Sequence, residues 1–182
     1  MPKQTDTRAR ILAAARELFA AQTYRAASMR DIALKVGITK ASLYHHFRSK
    51  SEILAALTTP ALEALKRAVA TAADRPEASE TRRDLLAECL DVLLSHREAM
   101  ALLLHDASVY ADEQEVMTRI TDITEHAVRL LSGPNPTARE RVRAAQAFAA
   151  ITAPLGQLTD IPEDTLRTEL LQGACALLEP AG

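Results

Sequence analysis

Lys40, Ala41, Ser42, Tyr44 and His45 fall within six consecutive positions, and Lys50 follows five residues later. If Leu43 and Phe47 face inward on a helix, the 3.6-residue period turns those five side chains toward solvent as one short strip. The strip is polar and cationic, and it suits hydrogen bonding to base edges in a major groove. Lys50 would stand at the amino end of the next helix, where a cation adds to backbone N–H groups already suited to a phosphate. Other constellations carry less. His96, His105, Asp106 and His126 include no i, i+4 pair, and His105 and Asp106 would point about 100° apart on a helix, so no metal site is expected. No nucleophile and base motif, glycine-rich phosphate loop or zinc-type spacing is present. Neither an enzyme nor a cofactor is expected.

The elements that must position the strip are helices. Ile11, Leu12, Ala15, Leu18 and Phe19 mark one face of a first helix from about Thr7 to Ala21. Ser28 with Asp31 reads as a capping box opening a second, through Met29, Ile32, Ala33 and Val36, and Gly37 supplies its stop. Thr39 caps a third, from Lys40 to Phe47. Two short helices about three residues apart form a helix-turn-helix, with small Ala33 permitting close approach and Leu43 filling the angle between them. Ser49 and Glu52 open a fourth helix through Ile53, Leu54 and Leu57; Pro60 either kinks it or starts a new one through Leu62, Leu65 and Val69. After a loop at 74–80, further helices are expected at about 81–95, 97–105, 112–131, 137–158 and 162–178, with Pro154 bending the penultimate one.

Composition agrees with an all-helical fold. Of the 182 residues 48% are apolar, mainly Ala and Leu, with 3% aromatics and five glycines. No apolar run approaches the ~18 residues of a membrane span and the first ten residues are charged, so the chain is expected to be cytoplasmic, with no membrane partner. Cys89 and Cys175 are expected as free core thiols. The net charge of −2 conceals an asymmetry: residues 1–57 carry ten Lys or Arg against four acids, while the remaining 125 carry twelve against twenty. A basic end on an acidic body is the footprint of a first segment that meets a polyanion while the rest stays clear of it.

From Thr7 to Leu54 the chain resembles the tetracycline-repressor (TetR) family of bacterial regulators. The resemblance rests on Arg10-Ile11-Leu12-x-Ala14-Ala15-x-x-Leu18-Phe19, Met29-Arg30-Asp31-Ile32-Ala33, and the run Val36 to Phe47 followed by Ser49-Lys50-Ser51-Glu52-Ile53-Leu54. It implies about nine helices, with the DNA-binding domain at 1–50 and a ligand-binding and dimerisation domain at 51–182. It also implies a homodimer joined through the last two long helices, phosphate contacts from Thr39, Tyr44 and Lys50, and base reading by Lys40, Ala41, Ser42 and His45. One departure is the family's usual glycine after the first helix, where this chain has Gln22-Thr23-Tyr24 and the turn is expected to use another conformation.

The expected function is a dimeric repressor on an inverted-repeat operator in double-stranded DNA, released by a small apolar effector. An activator, or a helical interaction protein or enzyme with a relic helix-turn-helix, is the alternative. The effector pocket is expected among Met100, Leu103, Leu104, Tyr110, Met117, Ile120, Phe148 and Ile151, each of which has core packing as its plain alternative. For the dimer, Ala144, Ala145, Ala147, Ala149, Ala150, Gly173, Ala174 and Ala176 supply small residues for close helix approach.

Overall fold

A computed structural model describes residues 4–75, 79–158 and 160–179. Among the described residues there are ten α-helices and no strand: α1 Gln4–Gln22, α2 Met29–Val36, α3 Lys40–His46, α4 Lys50–Ala73, α5 Ser79–Ser95, α6 Arg97–His105, α7 Ala107–Asp112, α8 Gln114–Ser132, α9 Ala138–Thr152 and α10 Glu163–Leu178.

Local chemistry sets the bounds of the head. The Ser28 hydroxyl accepts from the Asp31 amide while the Asp31 carboxylate accepts from the Ser28 amide. Gly37 stops α2 in the left-handed region at φ 74°, and its N–H together with that of Ile38 reaches back to the carbonyls of Leu34 and Ala33. Thr39 and Ser49 cap α3 and α4 through the amides three residues on. Arg10 donates to the Val36 carbonyl at 2.7 Å, satisfying one of the orphan acceptors at the end of α2. Ile11, Ala15, Phe19, Ile32, Leu43 and Phe47 are buried and continuous with the core of the larger body.

Several expected elements differ. The first helix is longer than Thr7 to Ala21. The turn after it does not find another conformation: Thr23 itself takes the left-handed φ, 76°, which a glycine would adopt without penalty. The turn is held by the Thr23 amide on the Phe19 carbonyl and by the Ala27 amide on the Thr23 carbonyl. A β-branched residue there costs about 1–2 kcal/mol, against about 0.5–1 kcal/mol of chain entropy that glycine adds to the unfolded state. Thr23→Gly is therefore expected to raise the unfolding free energy by roughly 0.5 kcal/mol in a urea titration; a fall would show that the methyl and hydroxyl contacts outweigh the strain.

Pro60 neither breaks α4 nor begins a new helix; the helix runs through it. Its missing N–H leaves one carbonyl of the preceding turn without a helical donor, and neighbouring bonds hold the segment: the buried Thr58 hydroxyl donates to the Leu54 carbonyl at 2.9 Å, and Arg119 reaches from α8 to Thr59 at 3.3 Å and to Glu63 at 2.6 Å. Helix α5 begins two residues earlier than expected, and residues 76–78 of the expected loop lie outside the described residues. The helix expected at 112–131 is α8, and a short helix that was not expected, α7, precedes it, set off by non-helical Glu113 (φ −121°, ψ 67°). Rather than continuing to 158, α9 ends at Thr152, and Pro154 lies in a 3₁₀ turn, Ala153–Gly156. Cys89 and Cys175 are free thiols, Cys89 buried and Cys175 half-buried; burial pushes the Cys89 thiol up to about 12.

Candidate functional site

On α3 the core-facing and solvent-facing sets separate as the period requires. Leu43 is fully buried and Phe47 follows it inward, whereas Thr39, Lys40, Ala41, Tyr44 and His45 are exposed and Ser42 is half-buried. The Lys40 ammonium lies 5.6 Å from the centre of the Tyr44 ring, so cation and phenol share one edge of the strip. The His45 and His46 rings meet edge to face at 5.6 Å.

Lys50 has a different environment from the other candidates. Its ammonium donates to the backbone carbonyls of Tyr24 at 2.7 Å, Arg25 at 3.2 Å and Ala27 at 3.0 Å, and it stands 4.4 Å from the centre of the Tyr24 ring. An ammonium has three N–H donors, and all three are aimed at protein oxygens. Burial pulls its pKa below the usual lysine range, while Asp112 and Glu113 act in the opposite direction. Other cations of the basic segment are also engaged internally. Arg8 stacks over Phe47 at 4.7 Å, Arg10 caps α2, and Arg16, Arg25 and Lys35 pair with Glu98, Asp112 and Glu17. Among the described residues of that segment, Arg30, Lys40 and Arg48 are exposed cations outside any ion pair.

The head is fastened to the body through residues 106–113, of which sequence patterning singled out Asp106 only for a metal site that it excluded and Tyr110 only as a pocket residue. The Asp106 carboxylate accepts from the Tyr24 amide and caps α7 through the Ser108 amide at 2.9 Å, and the Ser108 hydroxyl accepts from the Arg25 amide at 3.0 Å. Arg25 grips Asp112 with two nitrogens, at 3.0 and 2.6 Å. The Glu113 carboxylate accepts from both the Tyr24 phenol and the Ser51 hydroxyl. Burial, followed by the Glu113 carboxylate, raises the Tyr24 pKa well above the usual phenol range. For Asp106, burial alone would raise the pKa, but the donors from Ser108 and Tyr24 and the nearby Arg25 charge hold it below the usual range; Arg25 lowers Asp112 likewise.

A carboxylate whose folded pKa is depressed stabilises the fold fully above its unfolded pKa, about 3.9, and loses that contribution as pH falls through the lower folded value. Acid denaturation should therefore show a head-to-body loss only below about pH 4. Asp106→Asn should shrink it. An unchanged acid limb in Asp106→Asn would remove Asp106 from the fastening.

This head has counterparts among known proteins. Residues 11–57 match the family model described as "Bacterial regulatory proteins, tetR family". The HTH-type transcriptional regulator UidR of Escherichia coli K12 is 45% identical over 51 residues, which is 28% of this chain and 26% of that protein. SrpR of Pseudomonas putida, also an HTH-type transcriptional regulator, is 44% identical over 52 residues, 29% of this chain and 24% of that protein. The chain thus matches about a quarter of the length of these curated relatives. Beyond the head, the crystal structure of Mycobacterium smegmatis AmtR superposes with a TM-score of 0.78 at 26% identity, covering 100% of this chain and 90% of that one. The head, residues 11–57, is a TetR-family helix-turn-helix.

In the body, helices α4, α5, α6, α8 and α9 line an apolar cavity of about 160 Å³ that is open to solvent beside exposed Ala145 and Ala149. Of the eight expected pocket residues, Met100, Leu104, Ile120 and Phe148 line it. Leu103 and Ile151 are instead fully buried in the core, Tyr110 is 43% exposed, and Met117 is half-buried away from the cavity wall. Leu62, Leu65 and Leu93, which periodicity marked only as core positions or left unremarked, complete much of the wall. Of the small residues expected at a dimer seam, Ala144, Ala147 and Ala174 are buried within the chain and Ala150 is half-buried, while Ala145, Ala149, Gly173 and Ala176 face outward from α9 and α10. Among the described residues no group of three His, Cys, Asp or Glu is placed to hold a metal, and the His105 side chain lies outside those residues.

Proposed function

We propose that the protein is a cytoplasmic, homodimeric transcriptional repressor that binds an inverted-repeat operator through residues 1–50 and is released when a small effector enters the cavity of residues 51–182. The exposed face of α3 carries the reading: Lys40, Ala41, Tyr44 and His45 are exposed on a packed helix-turn-helix with Ser42 half-buried among them, and Arg30 and Arg48 are further exposed cations of the head. Support comes from UidR and SrpR, both of them transcriptional regulators. No described helix is long and apolar enough to cross a membrane, which is compatible with the proposed location. Thr39 and Tyr44 would hold phosphates, with Arg30 and Arg48 in the place first expected of Lys50, and Lys40, Ala41, Ser42 and His45 would read bases. Small outward residues on α9 and α10 fit the dimer seam, and two-fold symmetry would set two copies of α3 about 34–36 Å apart, one turn of duplex.

The test is fluorescence anisotropy of the purified protein on DNA upstream of its own gene, followed by a base-by-base scan of the bound segment. A paired half-site with centres about one turn apart is expected, together with sedimentation as a dimer. Lys40→Ala should relax the preference at one base of each half-site by about 1–3 kcal/mol. Equal affinity for scrambled DNA would overturn the reading and leave a relic helix-turn-helix. Transcripts that fall when the gene is deleted would make it an activator instead.

A further inference from the structure

The apolar cavity shares two wall residues, Leu62 and Ile123, with a second cleft of about 160 Å³ between α4 and α8. Alone, the inner space suits something near the size of benzene. Ligand sites ordinarily span about 300–1,000 Å³, a range the two spaces reach together if the Leu62 and Ile123 side chains turn aside.

Their walls differ in kind. The inner wall carries no charged side chain, and its Thr152 hydroxyl is already bonded to the carbonyls of Phe148 and Ala149 at 3.2 Å each. An ionised group drawn into it would lose hydration without a partner. The outer cleft is rimmed by Lys66, Arg119, Asp122 and His126 above an apolar floor of Leu62, Val69 and Ile123. Arg119 is steadied by Glu63 and Thr59, whereas exposed Lys66 is in no ion pair among the described residues. With Glu63 paired to Arg119 and Asp122 on the rim, cations and carboxylates balance at two each, so the preference for an anionic head rests on Lys66, the exposed cation that is in no ion pair among the described residues.

We propose that the effector is an amphiphilic carboxylate, with its apolar body in the inner cavity and its carboxylate in the outer cleft against Lys66 and Arg119. This rests on the reading of the inner cavity as the effector site.

Isothermal titration of the full-length protein with octanoate, 1-octanol and octylammonium tests it, since the three share an apolar tail and differ in head charge. Octanoate should bind most tightly. Lys66→Met should weaken octanoate about three- to tenfold, the range of a partly exposed charge-assisted contact, while leaving 1-octanol unchanged. Thr124→Leu, which adds bulk to the apolar cavity wall on α8, away from the proposed seam, should abolish binding of both while the protein keeps a cooperative thermal transition. If 1-octanol binds as well as octanoate, or Lys66→Met leaves octanoate unchanged, the head-group assignment is wrong while the cavity stands. If none of the three binds, or Thr124→Leu binds them as before, the cavity is not the effector site and both readings fall.

Discussion

Lys50→Met is expected to weaken binding to operator and to unrelated DNA by the same factor, to lower the stability of the head by roughly 2 kcal/mol, and to leave the salt dependence of binding where it was. The stability loss follows from the three carbonyls, of Tyr24, Arg25 and Ala27, that its ammonium ties together across the turn between α1 and α2. Hydrogen bonds to a charged donor are worth about 1.5–3 kcal/mol when enclosed, and this site is only half-buried, so the three together are discounted to the stated total. Salt dependence reports on phosphates alone. Each phosphate that a variant no longer neutralises makes the slope of log affinity against log salt shallower by about 0.9, or nearly two units per dimer. Arg30→Ala and Arg48→Ala should each show that change, because both cations stand exposed outside any ion pair. Anisotropy titrations between 50 and 200 mM salt (roughly the range over which phosphate neutralisation declares itself) separate the two roles. A slope shallower by about two units in Lys50→Met would mean that the ammonium leaves its carbonyls for a phosphate when DNA binds.

What sequence reveals here, and what it hides, divides by distance along the chain. Ser28, Gly37, Thr39, Ser49 and Thr137 act on amides or carbonyls within about four positions, so the starts and stops they set for α2, α3, α4 and α9 are readable from residue type alone. The role of Lys50 is different: its partners lie 23 to 26 residues away, and a lysine opening a helix looks the same in sequence whether it faces a phosphate or a carbonyl. Continuity of α4 through Pro60 is also a tertiary matter, since Arg119 of α8 braces the segment on either side. Helix α7 has six residues, fewer than two turns, and so has no period to detect. Periodicity likewise places Met100, Leu104, Ile120, Leu103 and Ile151 inward without distinction. Which of them border empty space depends on how well the facing helices fill the gap, and that is decided by packing among five helices rather than by any one of them.

Glu113→Ala is expected to lower the unfolding free energy by about 1–3 kcal/mol and, more tellingly, to loosen the head from the body while the cavity and the α3 surface stay intact. Tyr24 is 2% exposed, so deleting the carboxylate strands a buried phenol, and the Ser51 hydroxyl loses its acceptor at the same time. Glu113→Gln should recover part of the loss, because one amide oxygen still accepts. Tyr24→Phe removes the other partner, so the double variant should cost less than the sum of the two single ones, with a coupling of about 0.5–3 kcal/mol in a denaturant cycle. The consequence for regulation lies in where these residues sit. Single residues, Asp106 and Glu113, join α7 to α6 and α8, and both of those helices line the apolar cavity. An effector that parts α6 from α8 must therefore carry α7 with it, and α7 with its flanks holds the backbone of Tyr24 and Arg25 and the first turn of α4. A ligand shifts the DNA-binding equilibrium only by its differential affinity for the two arrangements, typically 1–3 kcal/mol or about 5- to 150-fold. In Glu113→Ala that factor should fall toward one: the effector's affinity for free and for operator-bound protein should become equal in calorimetry, although operator affinity itself changes little. An undiminished factor would mean that the signal passes along α4 alone, through Pro60 and the Arg119 brace.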